Sequence, residues 1–279
     1  MFDRIQSNHA YALRTWHFRS LLGHDHQRNL VLPIASIENL SLGFGDVTLF
    51  KDLSCSVEPG SILAVVGANG SGKSTFVKTL LGLQSAVDGR IEWPTGKPSE
   101  IGYLAQLTEF DRRFPIRVRD LAAMGAWQGF NPFAGLNKTT RNRVDAALEM
   151  AGILDLADQP LHALSGGQLQ RALFSRVIMQ DAPLILLDEP FSAVDQYTEQ
   201  HLLSVIETWQ SEGRAVIMVL HDLSAVLDHC THALLLGNGR ASFGTVNDIL
   251  TPDRLVAQGY MSSSQASWMF RGQTNGGTR

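Results

Sequence analysis

Apolar residues occur in three short continuous runs along this chain. The runs are "SILAVVG", "LILLDEP" and "RAVIMVLH". Continuous apolar runs of this length are typical of strands that are buried on both faces. Segments with apolar residues at helical spacing follow them, including "FVKTLLGL" and "DQYTEQHLLSVIETWQSEG". Strands that alternate with helices predict an α/β fold with a mainly parallel core sheet.

Two other segments have different patterns. The stretch "ASIENLSLGFGDVTLFKDLSCSVEPG" alternates apolar and polar residues between glycines and a proline, which predicts a small antiparallel β subdomain. Residues 107–165 have no strand pattern and contain the helical segments "VRDLAAMGAW" and "TTRNRVDAALEMAG". We therefore expect a domain over residues 35–255 with an inserted α-helical subdomain at about 107–165, and a C-terminal tail over 256–279.

Residues 1–34 have little periodicity and are predicted to be a poorly ordered N-terminal extension. This extension includes the pair His24 and His26, which raises the possibility of a metal site. Two histidines without a third spaced ligand make a weak site. Alternatively, this extension is a solvated arm without a metal, or the true start of the protein is near Val31.

Composition narrows the class of protein. The chain has 279 residues, a net charge of -4 and 44% hydrophobic residues, so a globular protein is expected and a nucleic-acid partner is not. The apolar runs are far shorter than the ~20 residues of a spanning helix, and no secretory signal is evident. We expect a cytosolic protein whose cysteines, Cys55 and Cys230, are buried free thiols.

The segment "GANGSGKST" matches the phosphate-binding pattern G-x-x-x-x-G-K-[ST] and lies between a buried strand and a helix. Its glycines allow backbone N–H groups to surround a phosphate, and the following helix presents its positive end there. Lys73 would bridge the β- and γ-phosphates of ATP, and Ser74 would bind Mg²⁺. The predicted nucleotide-binding residues here are Gly67, Ala68, Asn69, Gly70, Ser71, Gly72, Lys73, Ser74 and Thr75.

Candidate catalytic residues follow two other buried strands. Asp188 ends "LILLD", at the position where such sheets bind Mg²⁺. Glu189 is next to it and is a candidate for polarising the attacking water. His221 ends the strand "RAVIMVL" and is a candidate donor to the γ-phosphate.

The segment "LSGGQ" at Leu164–Gln168 resembles the signature loop of the ATP-binding cassette (ABC) family. The resemblance extends over about residues 36–255 and keeps the family's order of motifs. In that order it includes an aromatic residue at Phe44, the glycine loop, Gln106, the signature, Asp188 with Glu189, Asp195 and His221. The resemblance implies the P-loop NTPase fold of an ABC nucleotide-binding domain, with ATP and Mg²⁺ as ligands.

The resemblance also implies roles. In ABC proteins two copies pair head to tail, so Ser165, Gly166, Gly167 and Gln168 would face the ATP held by the partner's Lys73. Neutral backbone donors and a helix N-terminus suit the γ-phosphate. By the same resemblance Glu189 is the general base, Gln106 senses the metal and the attacking water, Asp195 couples the two sites, His221 contacts the γ-phosphate and Phe44 stacks on adenine.

The spacing D-x-x-F-P-x-x-V-x-D-x-x-x-x-G, from Asp111 to Gly125, resembles the ATPase subunits of zinc and manganese importers. That resemblance implies a transmembrane permease as partner, a secreted or periplasmic metal-binding protein as indirect partner, and a peripheral location on the cytoplasmic face of the membrane. Phe114 would contact the permease; alternatively it packs within the helical subdomain. Arg117 departs from the Thr or Ser usual in that subfamily and is a poor helix cap. An iron-siderophore transporter and a non-transport ABC ATPase remain alternatives.

Overall fold

The computed structural model describes residues 32–45, 47–126 and 137–269. The predictions for residues 1–31, including the pair His24 and His26, lie outside the described residues. No helix in the described part of the chain is long and apolar enough to cross a membrane.

The described residues form two sheets. The strands are β1 (Ala35–Phe44), β2 (Val47–Val57), β3 (Ile62–Gly67), β4 (Asp88–Glu92), β5 (Ile101–Leu104), β6 (Leu184–Asp188), β7 (Ala215–Val219), β8 (His232–Gly237) and β9 (Arg240–Thr245). An antiparallel sheet has the order β2-β1-β4, and a six-stranded sheet has the order β5-β6-β7-β3-β8-β9. In the larger sheet the strands are parallel except β9, which pairs antiparallel with β8. The predicted fold class is confirmed, although the sequence pattern does not predict β9.

Helices cover the larger sheet and form the inserted subdomain. They are α1 (Lys73–Leu81), α2 (Val118–Ala123), α3 (Lys138–Met150), α4 (Gly166–Gln180), α5 (Gln196–Ser211), α6 (Leu223–His229), α7 (Val246–Ile249), α8 (Pro252–Ala257) and α9 (Ser263–Met269). Residues 107–126 and 137–165 contain helices and no strand. The segment predicted as a C-terminal tail includes α9.

The central strand β3 explains the continuous apolar runs. Ile62, Ala64 and Val66 belong to the core on the side of α2, α4 and α5. Leu63 and Val65 belong to the core on the opposite side, with α1 and the antiparallel sheet. Because side chains alternate along a strand, a strand covered on both faces is apolar at every position.

The weak cap at Arg117 is compensated in the structure. Arg117 is the N-cap residue of α2, and its side chain provides no acceptor. Instead, the carboxylate of Asp120 accepts a hydrogen bond from the backbone N–H of Arg117 at 3.1 Å. An acidic residue in the first helical turn also interacts favourably with the helix dipole, so α2 begins where the sequence pattern places it.

Candidate functional site

The carboxyl ends of four parallel strands meet at one edge of the larger sheet. The glycine loop follows β3, Gln106 follows β5, Glu189 follows β6 and His221 follows β7. Parallel strands bring their carboxyl ends together at the same edge, where α/β sheets bind ligands. An open cavity of about 850 Å³ lies there, lined by Phe44, Leu49, Asn69, Gly70, Gly72, Lys73, Ser74, Thr75, Gln106, Glu189 and His221.

The glycine loop requires glycine for steric reasons. A Cβ atom on Gly67 would lie 2.4 Å from both the backbone oxygen of Leu236 and the Oγ of Ser71. Gly70 and Gly72 have positive φ angles of 79° and 106°, which side chains rarely adopt. The hydroxyl of Ser71 is buried without a hydrogen-bond partner among the described residues. The loop therefore forms a cradle of backbone groups at the start of α1, and such a cradle suits an anionic phosphate.

Lys73 is buried and its Nζ donates hydrogen bonds to the backbone oxygens of Gly67 at 2.8 Å and Ala68 at 3.1 Å. Burial lowers the pKa of Lys73, whereas the nearby carboxylates of Glu189 and Asp188 act in the opposite direction. The loop's own carbonyls thus hold the ammonium group beside the cavity.

Asp188 and Ser74 provide the oxygen ligands that Mg²⁺ prefers. Asp188 is buried at the end of β6, and burial and the charge of Glu189 raise its pKa. Ser74 and Lys73 partly oppose this rise. A carboxylate that is costly to keep charged by itself is suited to a divalent cation, so these residues fit the predicted Mg²⁺ site.

Glu189 is in an unusual conformation next to Asp188. Its φ angle is 51°, in the left-handed region that a non-glycine residue adopts only when its surroundings hold it there. Nε2 of His221 lies 2.9 Å from Oε1 of Glu189. Burial acts to raise the pKa of Glu189, but hydrogen bonds from His221 and Gln106 together with the positive charge of Lys73 outweigh it, so the net pKa is below its usual range. Glu189 is therefore a carboxylate at neutral pH and faces the cavity.

The antiparallel sheet positions the aromatic residue. Phe44 ends β1, pairs with Val47 across the hairpin, and is 57% exposed at the cavity. An exposed ring at this position presents a flat apolar face.

The signature residues Ser165, Gly166, Gly167 and Gln168 lie outside the lining of the cavity. Ser165 caps α4: its Oγ accepts from the N–H of Gln168 at 3.3 Å, and Oε1 of Gln168 accepts from the N–H of Ser165 at 2.8 Å. This reciprocal arrangement is a capping box. None of these loop residues, nor Asp195, is among those that line the cavity. Asp195 instead caps α5, accepting from the N–H of Thr198 at 2.8 Å.

The sequence predictions did not include two residues at the signature helix α4, the cationic Arg112 and the neutral Gln170. A Cβ on Gly166 would lie 3.7 Å from Nη2 of Arg112, so a guanidinium accompanies the neutral amides of this loop. Gln170 is fully buried, and its Nε2 donates to the backbone oxygens of Pro190 at 2.9 Å and Glu189 at 3.3 Å. Neither contact could be found from sequence, because both join residues that are far apart along the chain.

The ABC transporter family matches residues 50–192 of this sequence. The chain belongs to the ABC transporter family of ATPases. The manganese transport system ATP-binding protein MntA of Synechocystis sp. is 32% identical over 79% of this chain and 87% of its own length. The zinc transport system ATP-binding protein TroB of Treponema pallidum is 31% identical over 78% of this chain and 83% of its own length.

Solved structures agree with this assignment. A metal-chelate type ABC transporter in an inward-facing conformation matches with a TM-score of 0.73 and 34% identity, over 82% of this chain and 90% of that one. A nucleotide-free ATP-binding cassette of an ABC transporter matches with a TM-score of 0.70 at 22% identity, over 83% of this chain and all of that one, and supports the fold alone. This ABC ATPase therefore binds and hydrolyses ATP as a transporter subunit.

Proposed function

We propose that this ABC ATPase drives the import of a divalent metal ion, zinc or manganese, as a homodimer bound to a transmembrane permease on the cytoplasmic face of the membrane. The observation that supports it most is the combination of the cavity at the sheet edge with relatives named for manganese and zinc transport. A relative from Yersinia pestis named for chelated iron transport, 31% identical over 81% of this chain, makes iron the second candidate.

The residues around the cavity have complementary roles in this proposal. The glycine loop and Lys73 bind the phosphates of ATP, and Phe44 stacks on the adenine. Ser74, Asp188 and Gln106 would hold Mg²⁺, which would neutralise charge on the phosphates. Glu189 accepts a proton from the attacking water, since its pKa keeps it charged at neutral pH.

His221 completes the site by orienting Glu189. Its Nε2 is 2.9 Å from Oε1 of Glu189, and His221 is among the residues that line the cavity, where it would contact a γ-phosphate. A hydrogen-bond donor directed at a charge that develops during reaction is a common source of rate enhancement.

Dimerisation explains why the signature loop lies away from the cavity of its own chain. Ser165 is exposed and Gly166 and Gly167 are half-exposed, so they are accessible to a second copy. In a head-to-tail pair they cover the γ-phosphate bound by the partner subunit's glycine loop, and hydrolysis removes the charge that they bind. Asp195, at the start of α5, couples the two sites.

Permease docking is assigned to the segment after Gln106. Phe114 is 54% exposed and stands beside Pro115, so it is not a residue of the core. An exposed aromatic residue on a rigid segment is suited to a socket for a partner helix. The metal-binding protein outside the cell interacts with the permease and not with this chain.

The central test is Glu189→Gln in the purified protein. Phosphate release should fall at least ~100-fold because the general base is lost, while ATP binding is retained and ATP traps a dimer that is detectable by size-exclusion chromatography. His201→Gln provides a control, because His201 is on α5, is not among the residues that line the cavity, and has its Nε2 2.8 Å from the backbone oxygen of Met150. Wild-type turnover in Glu189→Gln would contradict the assigned role.

Docking has a separate test. Phe114→Arg should abolish metal uptake in cells and leave basal ATP hydrolysis within about twofold, because buried interface aromatics contribute most of the binding free energy. Uptake of zinc, manganese and iron is measured separately, and this comparison also identifies the transported metal. Normal uptake of all three metals by Phe114→Arg would contradict the docking role.

A further inference from the structure

Tyr260 follows α8 and lies well outside the part of the chain that the ABC family matches. Its hydroxyl donates a hydrogen bond of 2.7 Å to the backbone oxygen of His221. Among the described residues no other group donates to that oxygen. His221 is the residue whose ring contacts Glu189. This hydrogen bond joins the C-terminal segment to the proposed hydrolysis site.

The segment that carries Tyr260 is firmly attached to the hairpin of β8 and β9. The backbone oxygen of Gln258 is so close to Gly237 that a Cβ there would lie 1.9 Å from it. Nε2 of Gln258 donates to Oγ of Ser242 at 2.5 Å, and Nδ2 of Asn238 donates to the backbone oxygen of Ala257 at 2.9 Å. Tyr260 therefore extends from a fixed support, and its hydroxyl has a defined position.

Among the residues that the structure describes, the other backbone contacts here are made by the neighbours of His221. The N–H of Leu220 donates to Val65 at 3.3 Å, and the side chain of Asp222 caps α6 by accepting from Ser224 at 2.8 Å. Tyr260 supplies the contact to His221 itself. Burial, followed by the charge of Asp222, raises the pKa of Tyr260, so its hydroxyl remains a donor throughout the neutral range.

We propose that Tyr260 is a positioning residue for His221. The segment after residue 255 therefore contributes to ATP hydrolysis. Tyr260 does not touch the cavity; it fixes the peptide from which the His221 ring reaches Glu189. The proposal rests on the proposed roles of Glu189 and His221.

The test is Tyr260→Phe in the full chain, with steady-state ATP hydrolysis as the readout. The ring and its packing are retained and only the hydroxyl is lost. Since a neutral hydrogen bond contributes about 1 kcal/mol, kcat should fall about fivefold, while KM for ATP should change less than twofold. Ser267→Ala is the control: it removes a hydroxyl of the same C-terminal segment that bonds the backbone oxygen of Ser263 within α9 at 2.8 Å, and its kcat should stay within about twofold of wild type.

A double mutant with His221→Ala distinguishes a positioning role of Tyr260 from a general loss of rigidity in this part of the protein. In the His221→Ala background, Tyr260→Phe should have no further effect on kcat, because the ring that it positions is absent. A wild-type kcat in Tyr260→Phe, a rise in KM without a fall in kcat, or an equal fivefold loss in the His221→Ala background would each overturn the proposal. If His221→Ala itself has wild-type kcat, the proposed role of His221 fails, and the inference about Tyr260 fails with it. If His221→Ala is impaired and Tyr260→Phe is not, the inference alone fails.

Discussion

Replacing Gln170 with Met should slow ATP hydrolysis, although Gln170 does not line the cavity. Gln170 belongs to α4, is fully buried, and donates to the backbone oxygens of Pro190 and Glu189. Met has nearly the same length and volume but no donor, so Gln170→Met removes the hydrogen bonds without leaving a large cavity.

The expected cost follows from the partners that remain. The backbone oxygen of Glu189 keeps a hydrogen bond from the N–H of Ser192 at 3.2 Å, whereas that of Pro190 loses the one it accepts from Gln170. Leaving one buried carbonyl unsatisfied costs about 1–3 kcal/mol. Part of this is offset because Oε1 of Gln170 is itself buried without a partner in the described structure. We expect a net loss of about 1–2 kcal/mol in the free energy of unfolding, or roughly 2–6 °C in Tm.

The effect on catalysis should exceed what this stability loss explains. The φ angle of 51° at Glu189 is strained by about 1–3 kcal/mol and depends on surrounding contacts. Without the hydrogen bonds from Gln170, the turn after β6 gains alternative conformations, and kcat should fall about 5- to 10-fold with KM for ATP nearly unchanged.

A matched control lies on the same helix. Ser175 is also fully buried, and its Oγ donates to the backbone oxygen of Ala172 within α4 at 2.7 Å. Ser175→Ala should therefore lower Tm without lowering kcat. Denaturation monitored by circular dichroism and a phosphate-release assay measure the two effects. Equal kcat in Gln170→Met and wild type, or equal losses of kcat in Gln170→Met and Ser175→Ala, would refute the reasoning.

Two further predictions concern pKa values. Burial and the charge of Glu189 raise the pKa of Asp188 from its ordinary value of 3.8. At pH values above 3.8, ionisation of Asp188 therefore opposes folding. Asp188→Asn should therefore raise Tm at pH 8 without nucleotide, with no gain below about pH 4; a lower Tm at pH 8 would contradict this. Burial raises the pKa of both Cys55 and Cys230 to about 12. At pH 8 this lowers the thiolate fraction about 1000-fold, and the higher nucleophilicity of a high-pKa thiolate offsets part of that factor, so alkylation by iodoacetamide should be roughly 30- to 100-fold slower in the folded than in the unfolded chain; comparable rates would show that burial does not protect the thiols.

The sequence by itself determined the features that depend on local spacing. Glycines at 67 and 72, followed by Lys73, form a phosphate cradle because a turn and a helix start need only neighbouring residues. The apolar runs that precede Glu189 and His221 predicted buried parallel strands, whose carboxyl ends meet. The fold class follows from these patterns, whereas the ABC family was indicated by the resemblance of Leu164–Gln168 to its signature loop.

Only the tertiary structure decided which side chains support one another across the sequence. Tyr260 bonds to a residue 39 positions away, and Gln170 to residues 19 and 20 positions away. Arg112 lies beside Gly166, and the hairpin of the small sheet brings Phe44 to the cavity. No period or spacing encodes such contacts, because they depend on how separately folded elements pack, and packing is set by the whole core rather than by adjacent residues.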